Sequence, residues 1–178
     1  MLLSCIIDDG IFWMSYEDFC HKFRVVYFCK MISEQCSRAE LQGAWSKATG
    51  TAAGSKSSFN YQNPQYHIKV SSNCKVTFLL SQQENLCNDG TFQPVEHQGL
   101  ALFKDIDVHR PKRRTKKFQD STKKGESEYI NSRDIILECE LKADTWYIAV
   151  PMLFYSNKEA TFTLRVYGEC DHLTFKKI

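Results

Sequence analysis

Residues 160–166 read Ala160-Thr161-Phe162-Thr163-Leu164-Arg165-Val166, four apolar residues spaced two apart with hydroxyl-bearing or charged residues between them. Successive side chains of a β-strand point to opposite faces, so this spacing puts one row into a core and turns Thr161, Thr163 and Arg165 toward water. The same period recurs along the chain. Tyr66, Ile68 and Val70 alternate with His67 and Lys69, and Cys74, Val76, Phe78 and Leu80 alternate with Lys75 and Thr77. Ile135, Leu137, Cys139 and Leu141 alternate with Asp134, Glu138 and Glu140. Gly99–Phe103 and Trp146–Val150 add two more candidates, and two further strands are expected around Gly43–Trp45 and Leu173–Phe175. Each reads as a half-buried strand, and turn-rich segments such as Asn88-Asp89-Gly90 separate them. The pattern predicts a mainly β protein built as an antiparallel sandwich of eight strands.

The amino-terminal stretch has a different period. Ile11-Phe12-Trp13-Met14 is a short apolar run that predicts one buried strand, and Ser15 follows as a helix N-cap with Asp18 at the capping-box position. Tyr16, Phe19, Cys20, Phe23 and Tyr27 then recur at helical spacing, which predicts one buried helix face. The composition turns polar around Ser33–Glu40. A boundary is expected there, giving a strand–helix unit over 1–32 and the sandwich over 36–178.

A chain of 178 residues needs no staples, since a domain of roughly 150 residues buries about 70% of its unfolded surface. Eight cysteines, at positions 5, 20, 29, 36, 74, 87, 139 and 170, could make a disulfide framework. Length, aromatic content and the lack of any Asn-X-Ser/Thr triplet favour reduced thiols and a cytoplasmic setting. Met1–Ile7 lacks the basic start of a signal peptide. No apolar run reaches the ~20 residues of a membrane-spanning helix.

Charge is unevenly distributed. Arg110, Lys112, Arg113, Arg114, Lys116, Lys117, Lys123 and Lys124 stand against the single acid Asp120, so residues 110–124 carry +7 within a chain whose formal net charge is +2, and the remainder carries −5. Such a segment is the candidate contact for an anionic surface, at the level of a membrane rather than a specific nucleic acid. Aromatic interleaving is limited to Phe118, and basic runs alone give only salt-sensitive, nonspecific nucleic-acid affinity. No two cysteines stand at CxxC spacing, and Cys170-Asp171-His172 lacks further ligands, so no zinc site is expected. Cys20 and His21 are neighbours on the predicted helix, about 100° apart around its axis, and cannot easily form a nucleophile–base pair. No catalytic residue is expected in this chain.

Asp8–Phe19 (DDGIFWMSYEDF), Gly50-Thr51-Ala52-Ala53-Gly54, Asn63-Pro64-Gln65-Tyr66 and Phe162-Thr163-Leu164-Arg165-Val166-Tyr167 resemble, in that order, the end of the protease core and the C2-like domain III of the calpain family. Phe23–Lys30 (FRVVYFCK) and Tyr129–Asp134 look closest to the membrane-anchored calpains of the plant type. The resemblance implies that 1–32 ends the second protease subdomain and that 36–178 is the calpain-type β-sandwich. It implies a non-catalytic regulatory segment of a calcium-dependent cysteine protease, with the protease core as its partner in cis and anionic membrane lipids as a second contact. The runner-up is a stand-alone lipid-binding module. The family's catalytic motifs, Gly-Asp-Cys-Trp and Asn-Pro-Trp-Gly, are absent, and Asn63-Pro64 continues as Gln65-Tyr66 instead. A calpain calcium turn reads Asp-Gly-Glu; here Asp9-Gly10 match and Ile11 stands at the glutamate position, leaving Asp9 as a partial remnant. No cofactor is expected in this chain, and calcium only in a complete protease. Classical members carry an acidic loop in the sandwich, whereas the prominent loop here is basic.

Overall fold

The computed structural model of this chain describes residues 12–26, 31–56, 60–83, 95–106, 115 and 118–178. It comprises two compact units, Met1–Met31 and Ile32–Ile178.

The first unit contains helix α1 (Tyr16–Lys22). Ser15 caps it as its sequence predicts: the Asp18 amide donates to Ser15 Oγ at 3.0 Å, and the Ser15 hydroxyl donates back to the Asp18 carboxylate at 2.7 Å. Two expectations fail here. Phe12–Met14 form no strand, and Trp13 is 97% exposed. Tyr16, Phe19, Cys20 and Phe23 are exposed rather than buried, and Tyr27 lies outside the described residues. The physical reason is that an apolar stripe disappears from water only against a second element, and the described part of this unit holds a single helix of seven residues. Phe19 and Phe23 instead stack on each other, ring centres 4.9 Å apart.

In the second unit the described residues form nine strands: β1 (Ser37–Trp45), β2 (Tyr66–Val70), β3 (Cys74–Gln82), β4 (Gln98–Lys104), β5 (Lys123–Glu126), β6 (Asp134–Leu141), β7 (Tyr147–Leu153), β8 (Ala160–Gly168) and β9 (Leu173–Lys177). They pair in antiparallel fashion into a four-stranded sheet ordered β1-β8-β3-β6 and a five-stranded sheet ordered β5-β4-β7-β2-β9. All eight predicted strands are present. The ninth, β5, reads Lys123-Lys124-Gly125-Glu126 and carries no apolar alternation. Its inward position is Gly125, where a Cβ would come within 2.6 Å of Cys139 Sγ, so close packing excludes the side chain that would have signalled a strand.

The core lies between the sheets. Trp45, Tyr66, Phe78, Leu80, Leu100, Leu102 and Leu164 are all but fully buried there, each contributing roughly 1.5–3 kcal/mol by leaving water. Trp45 packs on Phe162 at 4.3 Å, and its indole N–H donates to the Pro151 carbonyl at 3.0 Å, joining β1 to the opposite sheet. Pro151 sits in β7, which has neighbours on both sides, a position where a missing N–H usually costs a ladder bond. The register explains its tolerance. Leu100, opposite Pro151, turns its own N–H and C=O to Ser127. Leu100 and Pro151 are therefore a non-hydrogen-bonded pair, and Pro151 faces the β2 side, where the β2–β7 ladder stops at Tyr66↔Ala149 just after Pro64. Its carbonyl is left for Trp45.

Candidate functional site

The five-stranded sheet is covered on its outer face as well. Ala101, Phe103, Ile148, Val150 and Met152 form a second buried cluster there, with Phe118, Tyr129 and Ile178 packed over it. Phe118 belongs to the connection from β4 to β5, residues 105–122, the stretch of sequence that holds most of the basic run.

Described residues root this connection at three places. At its start, the Asp105 amide continues the ladder by donating to the Trp146 carbonyl at 2.9 Å, and the Asp105 carboxylate lies 3.0 Å from His67 Nε2. Both side chains are buried, His67 completely. The His67 ring tilts against Trp146 at 5.4 Å, and the Lys176 ammonium sits 4.6 Å from the centre of the Trp146 ring. Lys69 bridges Asp144 at 2.8 Å on the same face. Midway, the buried Gln65 side chain acts as a rung for Thr115: the Thr115 amide donates to Gln65 Oε1 at 2.9 Å, and Gln65 Nε2 donates to the Thr115 carbonyl at 2.9 Å. Toward its end, Phe118 stacks on Phe103 with ring centres 4.4 Å apart and planes 19° from parallel.

Two of the eight predicted contact residues fall within the described residues. Lys123 pairs with Phe103 across the β4–β5 ladder, and its ammonium donates to Glu126 at 2.8 Å with Asp120 at 3.8 Å. The Glu126 hydrogen bond pushes the Lys123 pKa up, so the charge is held, but a neighbouring acid already neutralises it. Lys124 is exposed at the point where the register shifts between Leu102 and Phe103, the extra residue of a β-bulge. The basic run, read from the sequence as a loop, is therefore strand at these two positions. Arg110, Lys112, Arg113, Arg114, Lys116, Lys117 and the calcium-turn residue Asp9 lie outside the described residues. Beside β5, Tyr129 lies flat on Gly99, where a Cβ would come within 2.7 Å of the ring, and its hydroxyl donates to Glu126 at 3.0 Å. Burial, reinforced by Glu126, pushes the Tyr129 phenol well above its ordinary value.

Sequence reasoning missed the anchors. His67 reads as the outward member of a half-buried strand and is instead completely buried. Asn63-Pro64-Gln65-Tyr66 marks a strand entry, but nothing in it reveals that Gln65 reaches Thr115, fifty residues away. A second feature of the sequence, Gly50-Thr51-Ala52-Ala53-Gly54, forms a loop beside a cleft of about 300 Å³ lined by Lys47, Ala52, Gln62, Ser156 and Asn157, among others. Gly50 and Gly54 have φ of 69° and 78°, and a Cβ on Gly54 would meet the Ser156 amide at 2.7 Å. Among the described residues no group of three or more His, Cys, Asp or Glu side chains is placed to hold a metal.

The model of calpain large subunit, domain III, matches residues 41–167, β1 through β8 of this sandwich. The chain belongs to the calpain domain III family. Calpain-5 of mouse and of rat are each 29% identical to it over 176 residues, covering 91% of this chain and 27% of theirs. The maize calpain-type cysteine protease DEK1 is 27% identical over 176 residues, covering 90% of this chain and 8% of its own. The chain thus spans about a quarter of the Calpain-5 proteins and less than a tenth of DEK1. Within the calpain domain III architecture, the described residues Asp105, Thr115 and Phe118 are held by Trp146, His67, Gln65 and Phe103 of the five-stranded sheet and its approaches.

Proposed function

We propose that this calpain domain III segment is a non-catalytic regulatory part of a calcium-dependent cysteine endopeptidase, in which the sandwich tunes the protease core in cis or its placement at a membrane from the cytoplasmic side. The observation that carries this reading is the rooting of the basic run: residues 110–124, of formal charge +7, are tied at Thr115 and Phe118, and just upstream at Asp105, to a sheet buried on both faces. A cationic segment fixed to a rigid base can transmit the position of an anionic surface to the fold, whereas a free tail cannot. Clustered Lys and Arg contribute roughly 1 kcal/mol each on reaching an anionic lipid surface. The same connection supports the second reading, a self-sufficient module for anionic phospholipid.

Sedimentation with phosphatidylserine vesicles tests the proposal. Wild type is expected to bind without calcium and to weaken as the Debye length falls from about 10 Å at 0.1 M salt to about 3 Å at 1 M. Replacing Lys112, Arg113, Arg114, Lys116 and Lys117 with Ser should remove most of the binding with little loss of thermal stability. Equal binding by that variant, or binding that requires calcium, would end the membrane reading. Calcium-dependent casein cleavage by the chain alone would contradict its non-catalytic role.

A further inference from the structure

We infer that Cys74 and Cys170 form a paired-thiol site that a small-molecule disulfide converts to an intramolecular disulfide, clamping β3 to the turn that follows β8. The inference is independent of the proposed regulatory role. It starts from register. The β3–β8 ladder places Val76 opposite Gly168. One step further, the Glu169 amide donates to the Lys75 carbonyl at 3.1 Å, so the antiparallel pairing continues past the end of both strands. The next rung is Cys74 opposite Cys170. Because Lys75 and Glu169 share a hydrogen bond, the adjoining rung is a non-hydrogen-bonded one, whose Cα atoms lie about 4.5 Å apart in antiparallel sheets. That separation falls within the range of roughly 4.4–6.8 Å that a disulfide spans.

The side chains agree with the backbone. The Cys170 thiol donates to the His172 carbonyl at 3.4 Å, which leaves its sulfur open toward the neighbouring Cys74 thiol, and both cysteines are free. Cys170 belongs to the buried core, and Cys74 packs against it while remaining partly exposed. Gly168 gives the Cys170 sulfur its room, since a Cβ there would stand 3.1 Å from it. The Cys170 backbone is held in turn by Ser37, whose hydroxyl donates to its carbonyl at 2.7 Å. Other described cysteines are excluded by the same register. Cys139 is opposite Val76 on β6, diagonal to Cys74, and diagonal neighbours are about 7–8 Å apart. Cys36 is in phase with the outward-facing Arg38 and Glu40, on the other side of the sheet.

Glutathione disulfide balances the reaction. The Cys74 thiolate attacks one sulfur and expels a glutathione thiolate, which takes up a proton; the Cys170 thiolate then attacks the Cys74 sulfur and expels the second glutathione. Two protein thiols lose two electrons, and one glutathione disulfide becomes two thiols. Burial, with Cys170 alongside, pushes the Cys74 thiol up to about 12, so the first attack is slow at neutral pH and faster in mild alkali.

The test is incubation of the whole chain with glutathione disulfide at pH 8.5, followed by peptide mapping without reductant and by thermal unfolding. The expected product is a Cys74–Cys170 cross-linked peptide pair lighter by two hydrogens, with Tm raised by about 5–10 °C because the bridge closes a loop of roughly a hundred residues. Dithiothreitol should reverse both changes, and Cys74→Ser and Cys170→Ser should lack them. Bridges from either residue to a different cysteine, glutathione adducts without the bridge, or two unreacted thiols after the exposed Cys20 has been modified would each overturn the inference. The peptide map is read on wild type, so a variant that folds poorly leaves the test intact.

Discussion

The two sheets of the sandwich obey different rules of burial. In the four-stranded sheet, β6 alternates cleanly, with Ile135 and Leu137 inside and Asp134, Ile136, Glu138 and Glu140 outside, and β8 does the same. In the five-stranded sheet, β7 is buried at every position and β4 at all but its last. The difference has one physical origin. Alternation records where water is, and the outer face of the second sheet meets Phe118, Tyr129 and Ile178 instead of water. The outer side of that sheet therefore holds buried polar groups, His67, Asp105 and Gln65.

The sharpest way to break this contrast is to place a charge on each outer face. Val150→Asp should cost more than about 4 kcal/mol or prevent folding, since an isolated carboxylate would be trapped beneath the cover. Thr161→Asp, on the exposed face of β8, should stay within about 0.5 kcal/mol. Urea unfolding of both decides the matter, and equal losses would show that the second face is not covered in solution.

A smaller effect is expected at the root of the connection. His67→Ala removes one neighbour of the buried Asp105 carboxylate and should cost about 1–3 kcal/mol. Limited trypsin digestion supplies an independent readout, because a loosened connection should be cut faster between Arg110 and Lys117 than wild type. Unchanged cleavage would mean that Gln65–Thr115 and Phe118 hold the segment by themselves.

The smallest effect lies where the sheets meet. Tyr66, on the five-stranded sheet, packs its ring against Phe162 and under Gly43 of the other, and among the described residues its hydroxyl has no hydrogen-bond partner. Tyr66→Phe should be neutral or stabilise by up to about 1 kcal/mol at pH 7. Burial pushes the Tyr66 phenol up to about 12, and Cys74, Tyr129 and Lys123 are also raised. The folded state therefore keeps protons that the unfolded chain releases above its ordinary values of about 8.5–10, so stability is fully present below that range and falls as pH rises through it. Thermal scans from pH 7 to 11 should show this decline, less steep in Tyr66→Phe.

Strands were legible wherever one face of the sheet meets water. In β8, with Phe162, Leu164 and Val166 inside, the apolar residues announce both the strand and its orientation. β5 was not legible, because packing against Cys139 demands a glycine at its inward position and leaves only charged residues around it. Nor was the amino-terminal helix face: the helix ends at Lys22, before Phe23, and spacing cannot say whether anything covers it, so the aromatic residues of α1 stand exposed. The charged residues of the basic run were plain from composition, whereas the pairing of the Lys123 ammonium with the Glu126 carboxylate, at the two ends of β5, was not.

Local order, the Ser15 cap, the period of eight strands and the uneven charge follow from residues near one another in the chain, where the stereochemistry of a few consecutive residues suffices. Three other features depend on tertiary contact: the double burial of the five-stranded sheet, the Gln65–Thr115 rung, and the meeting of Cys74 with Cys170. The last two join residues some fifty and one hundred positions apart, and the first joins separate layers of packing. No local pattern encodes such a meeting, because the free energy that selects it comes from surfaces that exist only once the sheets have formed.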